Sequence, residues 1–279
     1  MSSYEETVIQ RLAQFGERND AIRAVLLTSS LCDPDAPVDV LSDFDVEFFF
    51  EDPTPFVESD DWIQTLGMGS ILALWHWPNE WDHEPGNGRS WMRMVYFEDG
   101  TRVDISLCYM ADLRALAGLD RLPDHYDIGY EVLLDKDGVT GSIKPASHRA
   151  FILRPPSEEQ FASRAETFWM ESIHVAKFLW RDEIVAAKWM LDGLRGRNLC
   201  EVLEWSVAIR HCWDWRPGKL GRGLPKVLDP DTRRELIESY AAGDIEDMWQ
   251  SLLRTTALYR KTASEVAGAL GFEYPCDLD

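Results

Sequence analysis

The segment Leu41–Phe50 alternates acidic and apolar residues, which is the pattern of a β-strand with one polar face and one buried face. The acidic face carries Asp43, Asp45 and Glu47, and the apolar face carries Phe44, Val46 and Phe48. Alternate strand residues point the same way roughly 7 Å apart, so Asp43 and Asp45 can aim two carboxylates at one point above the sheet. Such close charges are costly unless a cation or a proton neutralises them, and Mg²⁺ prefers oxygen ligands of this kind. The pattern therefore predicts a rigid strand with an anionic site, although an Asp-x-Asp pair also occurs on half-exposed strands that bind nothing.

A predicted hairpin supplies a third carboxylate. Trp91–Phe97 and Arg102–Tyr109 are strand-like runs, and the turn between them contains Asp99-Gly100, a strong hairpin signal. Asp104 lies on the polar face of the second run. Three carboxylates that converge at a sheet can hold two divalent ions around a triphosphate, so the residue types suit phosphoryl or nucleotidyl transfer.

Small hydroxyl residues follow an earlier apolar run. Ile22–Ser30 is predicted to be a buried strand that ends in Ser29 and Ser30, and a turn-rich loop, Cys32–Pro37, leads on to the acidic strand. Two strands joined in this way can bring both serines near the two aspartates. The serines are therefore candidates for contacts with a phosphate chain.

The pattern of the chain changes near residue 150. Before it, short strand-like runs mix with short helices such as Ser3–Phe15 and Ser59–Leu66, and Trp75–Arg89 is predicted to be an irregular loop. Lys144–Pro156 contains three prolines and is typical of a linker. After the linker, Ser157-Glu-Glu-Gln160 forms a capping box and the periodicity is helical. The helices predicted there are Phe161–Trp180, Glu183–Leu194, Leu199–Trp213, Asp231–Ala241 and Ile245–Leu270.

These patterns predict an α+β protein with two domains. Residues 1–150 would form a mixed β-sheet with flanking helices, and residues 151–279 would form a helical bundle. The formal net charge of −21 disfavours binding to nucleic acid or anionic membranes and favours a cationic partner. No run of about 20 apolar residues and no signal peptide is apparent, so we expect a cytoplasmic protein. We also expect either a monomer or a weak homodimer.

The motifs resemble those of aminoglycoside 6-adenylyltransferases, also called streptomycin adenylyltransferases, within the nucleotidyltransferase superfamily of the polymerase β type. In the first half the resemblance rests on Asp43-Phe-Asp45, Phe97–Leu107 and Val132–Asp137. In the second half it rests on Phe168-Trp-Met170, Arg181-Asp-Glu183, Gly218-Lys219, Met248–Leu252, Tyr259 and Tyr274-Pro275. The resemblance runs from about Ile9 to Pro275, nearly the whole chain.

The resemblance implies Mg²⁺-dependent transfer of AMP from ATP to an aminoglycoside hydroxyl, the 6-hydroxyl of streptomycin. Asp43, Asp45 and Asp104 would bind the magnesium. Ser29 and Ser30 would contact the triphosphate, Lys219 would reach a phosphate, and Glu183 would be the base that takes the hydroxyl proton. The family usually has Gly-Ser-Arg where this chain has Ser29-Ser30-Leu31, so the chain lacks one flexible residue and one positive charge there. Alternatives are therefore a nucleotidyltransferase with another hydroxyl acceptor, or a catalytically weakened relative that binds nucleotide or aminoglycoside.

Several residues also have purely structural interpretations. Glu183 stands near a predicted helix start, where an acid complements the helix dipole without a catalytic role. Lys219 is equally consistent with a solvated loop charge. Trp75, Trp77 and Trp81 could line a substrate pocket or pack in the core. Acids in the same region, Glu80, Asp82 and Glu84, could bind ammonium groups of a drug or belong to an ordinary acidic loop.

Overall fold

The computed structural model describes residues 3–77 and 86–278. The chain divides into two compact units, Met1–Ala150 and Phe151–Asp279. Glu80, Trp81, Asp82 and Glu84 lie outside the described residues. Within the described part of the chain, no helix is long and apolar enough to cross a membrane.

The first unit, as far as it is described, is built on a mixed six-stranded sheet. Its strands are β1 (Ile22–Thr28), β2 (Phe44–Phe50), β3 (Ile71–Trp77), β4 (Trp91–Phe97), β5 (Arg102–Tyr109) and β6 (Tyr130–Asp135). They lie in the order β3-β4-β5-β2-β1-β6. The pair β2–β5 is parallel, and the other four pairs among the described residues are antiparallel. The predicted α+β class with an N-terminal mixed sheet is confirmed.

The helices described beside this sheet are α1 (Ser3–Arg18), α2 (Thr54–Glu58), α3 (Met110–Ala117) and α4 (Asp124–Asp127). The apolar face of β2 packs against α1, where the rings of Phe15 and Phe48 lie 5.7 Å apart between centroids. On the opposite face, Leu26 and Phe49 pack with Leu113 of α3. Burial of each large apolar side chain contributes about 1.5–3 kcal/mol, so β2 is held firmly from both sides.

The second unit is helical, as predicted. Its helices are α5 (Glu158–Trp180), α6 (Ile184–Gly193), α7 (Cys200–Arg210), α8 (Leu224–Val227), α9 (Pro230–Glu238) and α10 (Ile245–Leu270). The capping box is present, because the Ser157 hydroxyl accepts from the Gln160 N–H at 3.1 Å and the Gln160 side chain accepts from the Ser157 N–H at 2.8 Å. A π-helical segment, Leu194–Leu199, joins α6 to α7.

Two local predictions were wrong. Residues 75–77, which were expected to begin an irregular loop, form the end of β3 and pair with β4. Aromatic residues favour strands when a partner strand is available, and that preference outweighs the loop signal of the Pro and Gly residues that follow. The helix expected over Ser59–Leu66 is a shorter 3₁₀ helix, Asp61–Leu66, and the Ser59 hydroxyl accepts from the Asp61 N–H at 3.2 Å.

A hydrogen-bonded trio joins this 3₁₀ helix to the neighbouring strands. His76 alternates with Trp75 and Trp77 along β3, so its side chain projects from the opposite face of the sheet. Its Nε2 lies 2.7 Å from Oδ2 of Asp60. Asp60 also accepts from the buried guanidinium of Arg93 on β4, at 2.6 Å from Nε. These contacts tie β3 and β4 to the segment that precedes them.

A buried arginine holds the second unit together. The guanidinium of Arg195 is only 1% exposed, and it donates to Asp192, to the Ser239 carbonyl and to the Ser251 hydroxyl at 2.8–2.9 Å. It also lies 4.4 Å from the centre of the Tyr240 ring. These contacts join the π-helical segment to the end of α9 and to α10.

We predict that Arg195→Met lowers the free energy of unfolding by about 3 kcal/mol, because the Ser239 carbonyl and the Ser251 hydroxyl would lose a buried charged donor. Urea denaturation followed by tryptophan fluorescence measures the change. The control is Arg234→Met, which removes an exposed ion pair with Asp231 and should cost less than about 1 kcal/mol. Equal losses in the two variants would contradict this role of Arg195.

Candidate active site

The parallel pairing of β2 with β5 brings two predicted site residues together. Asp45 of β2 lies directly beside Asp104 of β5 in the register. Residues paired in this way on neighbouring strands project from the same face of the sheet, about 5 Å apart. Asp43 lies just before β2 on that same face. The structure thus gathers Asp43, Asp45 and Asp104 in one cluster, called here the carboxylate cluster.

Arg102 neutralises part of this cluster. Its guanidinium donates to both carboxylate oxygens of Asp104, at 2.9 and 2.7 Å, and lies 3.0 Å from the Asp43 carboxylate. Hydrogen bonding to Asp104 and the charges of both acids raise the pKa of Arg102. The guanidinium also lies 5.3 Å from the centre of the Tyr96 ring. Sequence reasoning missed Arg102, although its position two residues before Asp104 places it on the same strand face.

Asp45 has an environment that favours a bound cation. Burial raises its pKa to about 6, and the charges of Asp104 and Asp43 act in the same direction. A hydrogen bond from the Ser29 side chain and the charge of Arg102 oppose this shift. A carboxyl whose pKa is raised by burial and by like charges gains stability when a cation approaches.

The donor set fits magnesium by its chemistry. Carboxylate oxygens are the ligands that Mg²⁺ prefers, and nucleotide phosphates commonly complete its coordination. In residues 3–77 and 86–278, no group of three or more histidine, cysteine or acidic side chains has the spacing of a preformed metal site. The guanidinium of Arg102 bridges two of these acids, Asp43 and Asp104.

The two predicted serines lie in a tight turn beside the cluster. Ser29–Cys32 is a 3₁₀ turn directly after β1, and Thr28 at the end of β1 pairs with Asp45. Ser29 has φ = 65°, in the left-handed region that glycine adopts without strain. The backbone at Ser29 therefore has a conformation that favours glycine. In this chain, the hydrogen bond from Ser29 to Asp45 offsets part of the strain.

Close packing against Gly129 fixes the position of this turn. A Cβ atom added at Gly129 would lie 1.9 Å from the Cys32 carbonyl oxygen, and Gly129 itself has φ = 149°. Only glycine fits at this approach. The backbone of the serine turn is therefore held against the segment that precedes β6.

Glu47 continues the acidic face of β2 into a more buried region. Tyr126 donates to Glu47 at 2.6 Å, and the His125 ring lies 3.9 Å from its other oxygen. Burial raises the pKa of Glu47 to about 7, while the hydrogen bond from Tyr126 lowers it. Strand alternation alone placed Glu47 on this face, but its partners come from α4, which is distant in sequence.

Glu183 and Lys219 belong to the second unit. Glu183 immediately precedes α6, its side chain makes no capping hydrogen bond, and it is exposed. Its carbonyl accepts from the Ala187 N–H at 2.9 Å, as expected at a helix start. Lys219 is exposed in the 3₁₀ turn Lys219–Gly221. Their assignment as base and phosphate ligand stays a prediction.

We predict that Ser29→Gly is more stable than Ser29→Ala by about 1 kcal/mol. Both variants lose the hydrogen bond to Asp45, but only glycine relieves the left-handed backbone strain. Urea denaturation of the two proteins under the same conditions measures the difference. An alanine variant as stable as the glycine variant would contradict the strain at this position.

Comparisons with known proteins show which family the chain resembles along its whole length. Residues 1–279 match a family model described as streptomycin adenylyltransferase. Aminoglycoside 6-adenylyltransferase from Bacillus subtilis (strain 168) is 27% identical over 273 residues, covering 97% of this chain and 93% of the relative. The enzyme of the same name from Campylobacter jejuni is 25% identical over 271 residues, covering 97% and 91%. A crystal structure of an aminoglycoside 6-adenyltransferase from Bacillus subtilis aligns with a TM-score of 0.44 at 26% identity, covering 99% of this chain and 94% of that one.

Proposed function

Because the chain belongs to the streptomycin adenylyltransferase family of enzymes, we propose that it transfers AMP from ATP to a hydroxyl group of an aminoglycoside. The finer proposal is that the acceptor is the 6-hydroxyl of streptomycin and that the reaction requires Mg²⁺ and takes place in the cytoplasm. The observation that carries the proposal is the pairing of Asp45 with Asp104 beside the serine turn.

In this proposal Asp43, Asp45 and Asp104 hold the metal. Bound Mg²⁺ would neutralise phosphate charge and stabilise the leaving pyrophosphate. Arg102 keeps the cluster compact and supplies positive charge next to the phosphates. The Ser30 hydroxyl, in the turn beside the cluster, donates to a phosphate oxygen.

The acceptor hydroxyl attacks the α-phosphorus of ATP. Its oxygen forms the new bond to phosphorus, the bond to the bridging oxygen breaks, and pyrophosphate leaves. By the family resemblance, Glu183 would take the hydroxyl proton and Lys219 would bind a phosphate. Such reactions depend mainly on positioning and on neutralisation of charge, which suits a preorganised cluster on a rigid strand.

The net charge of −21 supports a cationic acceptor, because electrostatic complementarity speeds encounter. The sequence Ser29-Ser30-Leu31 supports one alternative, a weakened relative that binds nucleotide or aminoglycoside with little turnover. Leu31 supplies no positive charge, and Ser29 holds its turn under strain. Calorimetry that detects streptomycin binding in a protein that forms no product would favour this alternative.

We predict that the purified protein releases pyrophosphate when supplied with Mg²⁺, ATP and streptomycin. Asp104→Asn should lower kcat/KM by about 100-fold or more, because the cluster would lose a charged ligand. The control is Glu98→Gln, which removes an exposed acid in the turn of the β4–β5 hairpin that carries Asp104. This change should leave turnover unchanged. Release of no pyrophosphate with any aminoglycoside would contradict the function, and normal turnover of Asp104→Asn would contradict the site.

A further inference from the structure

The face of the sheet that carries the carboxylate cluster continues across two more strands. Asp104 of β5 pairs with Met94 of β4, and Met94 pairs with Trp75 of β3. The next row on the same face runs from Glu47 through Ser106 and Met92 to Trp77. Acids therefore occupy the centre of this face, and sulfur-containing and aromatic side chains occupy one side of it.

The residues that alternate with these along the strands are packed in the core, which confirms that the paired rows lie on the opposite face of the sheet. Val95 and Val103 are fully buried, and Leu74 packs against the same core cluster. These residues alternate with Trp75, Met94 and Asp104 along their strands, so the latter project from the opposite face. Trp75 and Trp77 are 64% and 58% exposed. We call Trp75, Trp77, Met92 and Met94 the aromatic platform.

The serine turn lies on the other side of the carboxylate cluster. The sheet order places β1, which ends in this turn, next to β2, whereas β4 and β3 lie beyond β5. The cluster thus stands between the turn and the platform. In phosphoryl transfer the attacking and leaving oxygens lie roughly in line on opposite sides of the phosphorus. If the leaving phosphates contact the turn, the attacking hydroxyl comes from the platform side.

We propose that the aromatic platform binds the acceptor, a cationic glycoside, by stacking against a sugar ring and by contact with its ammonium or guanidinium groups. This inference rests on the proposed function and assigns the acceptor to one side of the same site. Indole faces attract cations within about 6 Å of the ring, and the neighbouring acids strengthen that attraction. Flexible methionines adapt to an irregular ligand surface.

The test uses the full chain with Trp75→Ala, Trp75→Phe and a control, Leu72→Ala. Leu72 lies on the same strand and is 70% exposed, but it falls at the register shift between Ile71 and Ala73, outside the paired rows. Calorimetry measures streptomycin binding in the presence of Mg²⁺ and a non-hydrolysable ATP analogue. Steady-state kinetics give separate KM values for streptomycin and ATP.

We expect Trp75→Ala to weaken streptomycin binding and raise its KM about tenfold, with the KM for ATP changed less than about twofold. Trp75→Phe should lose less, since it keeps an aromatic face, and Leu72→Ala should match the wild type. Unchanged streptomycin binding in Trp75→Ala would overturn the inference, as would a rise in the KM for ATP alone. Failure of the proposed function can be distinguished from failure of this inference, because the wild-type protein itself would then release no pyrophosphate.

Discussion

The parallel pairing of β2 with β5 is the constraint on which the site depends. It sets the partly buried Asp45 beside the buried Asp104, and two carboxylates at that separation repel each other. Arg102 offsets this repulsion from the same strand as Asp104, with Asp43 as its second partner. Since Thr28 pairs with Asp45 from the other side, the same register also brings the serine turn to the cluster. One strand register thus fixes the acids, their counter-charge and the hydroxyl groups together.

Much of this arrangement could be predicted from residue patterns of short period. The alternation along Leu41–Phe50 identified the strand and both of its faces, and Asp99-Gly100 identified the hairpin that carries Asp104. The long helices α5 and α10 also followed from their periodicity and from the capping box. These features are encoded by neighbours in sequence, where spacing and local propensity are informative.

Features that depend on distant partners were not predictable in this way. Nothing local indicates that β5 pairs with β2 in parallel, so the contact of Arg102 with Asp43 was not predicted. The end of β3 was assigned to a loop because its aromatic residues precede a Pro- and Gly-containing stretch, while its partner strand β4 lies further along the chain. The burial of Glu47 by Tyr126 depends on the packing of α4 across the sheet.

The serine turn illustrates how a strained backbone position can be accommodated. A residue with a side chain occupies a left-handed position at Ser29, and its hydroxyl bonds to the acid beside it. The cost in backbone strain is therefore offset by a polar contact that glycine cannot make. The turn approaches Gly129 so closely that only a residue without a Cβ atom fits there.

The ion pairs of Arg102 also matter in the protein that has no substrate bound. A built-in guanidinium counter-ion lets the acidic strands assemble without waiting for an external cation. Part of the charge of the cluster is therefore balanced within the chain itself, before any ligand binds. In the proposed reaction, Mg²⁺ and nucleotide would meet carboxylates that a neighbouring guanidinium already holds in place.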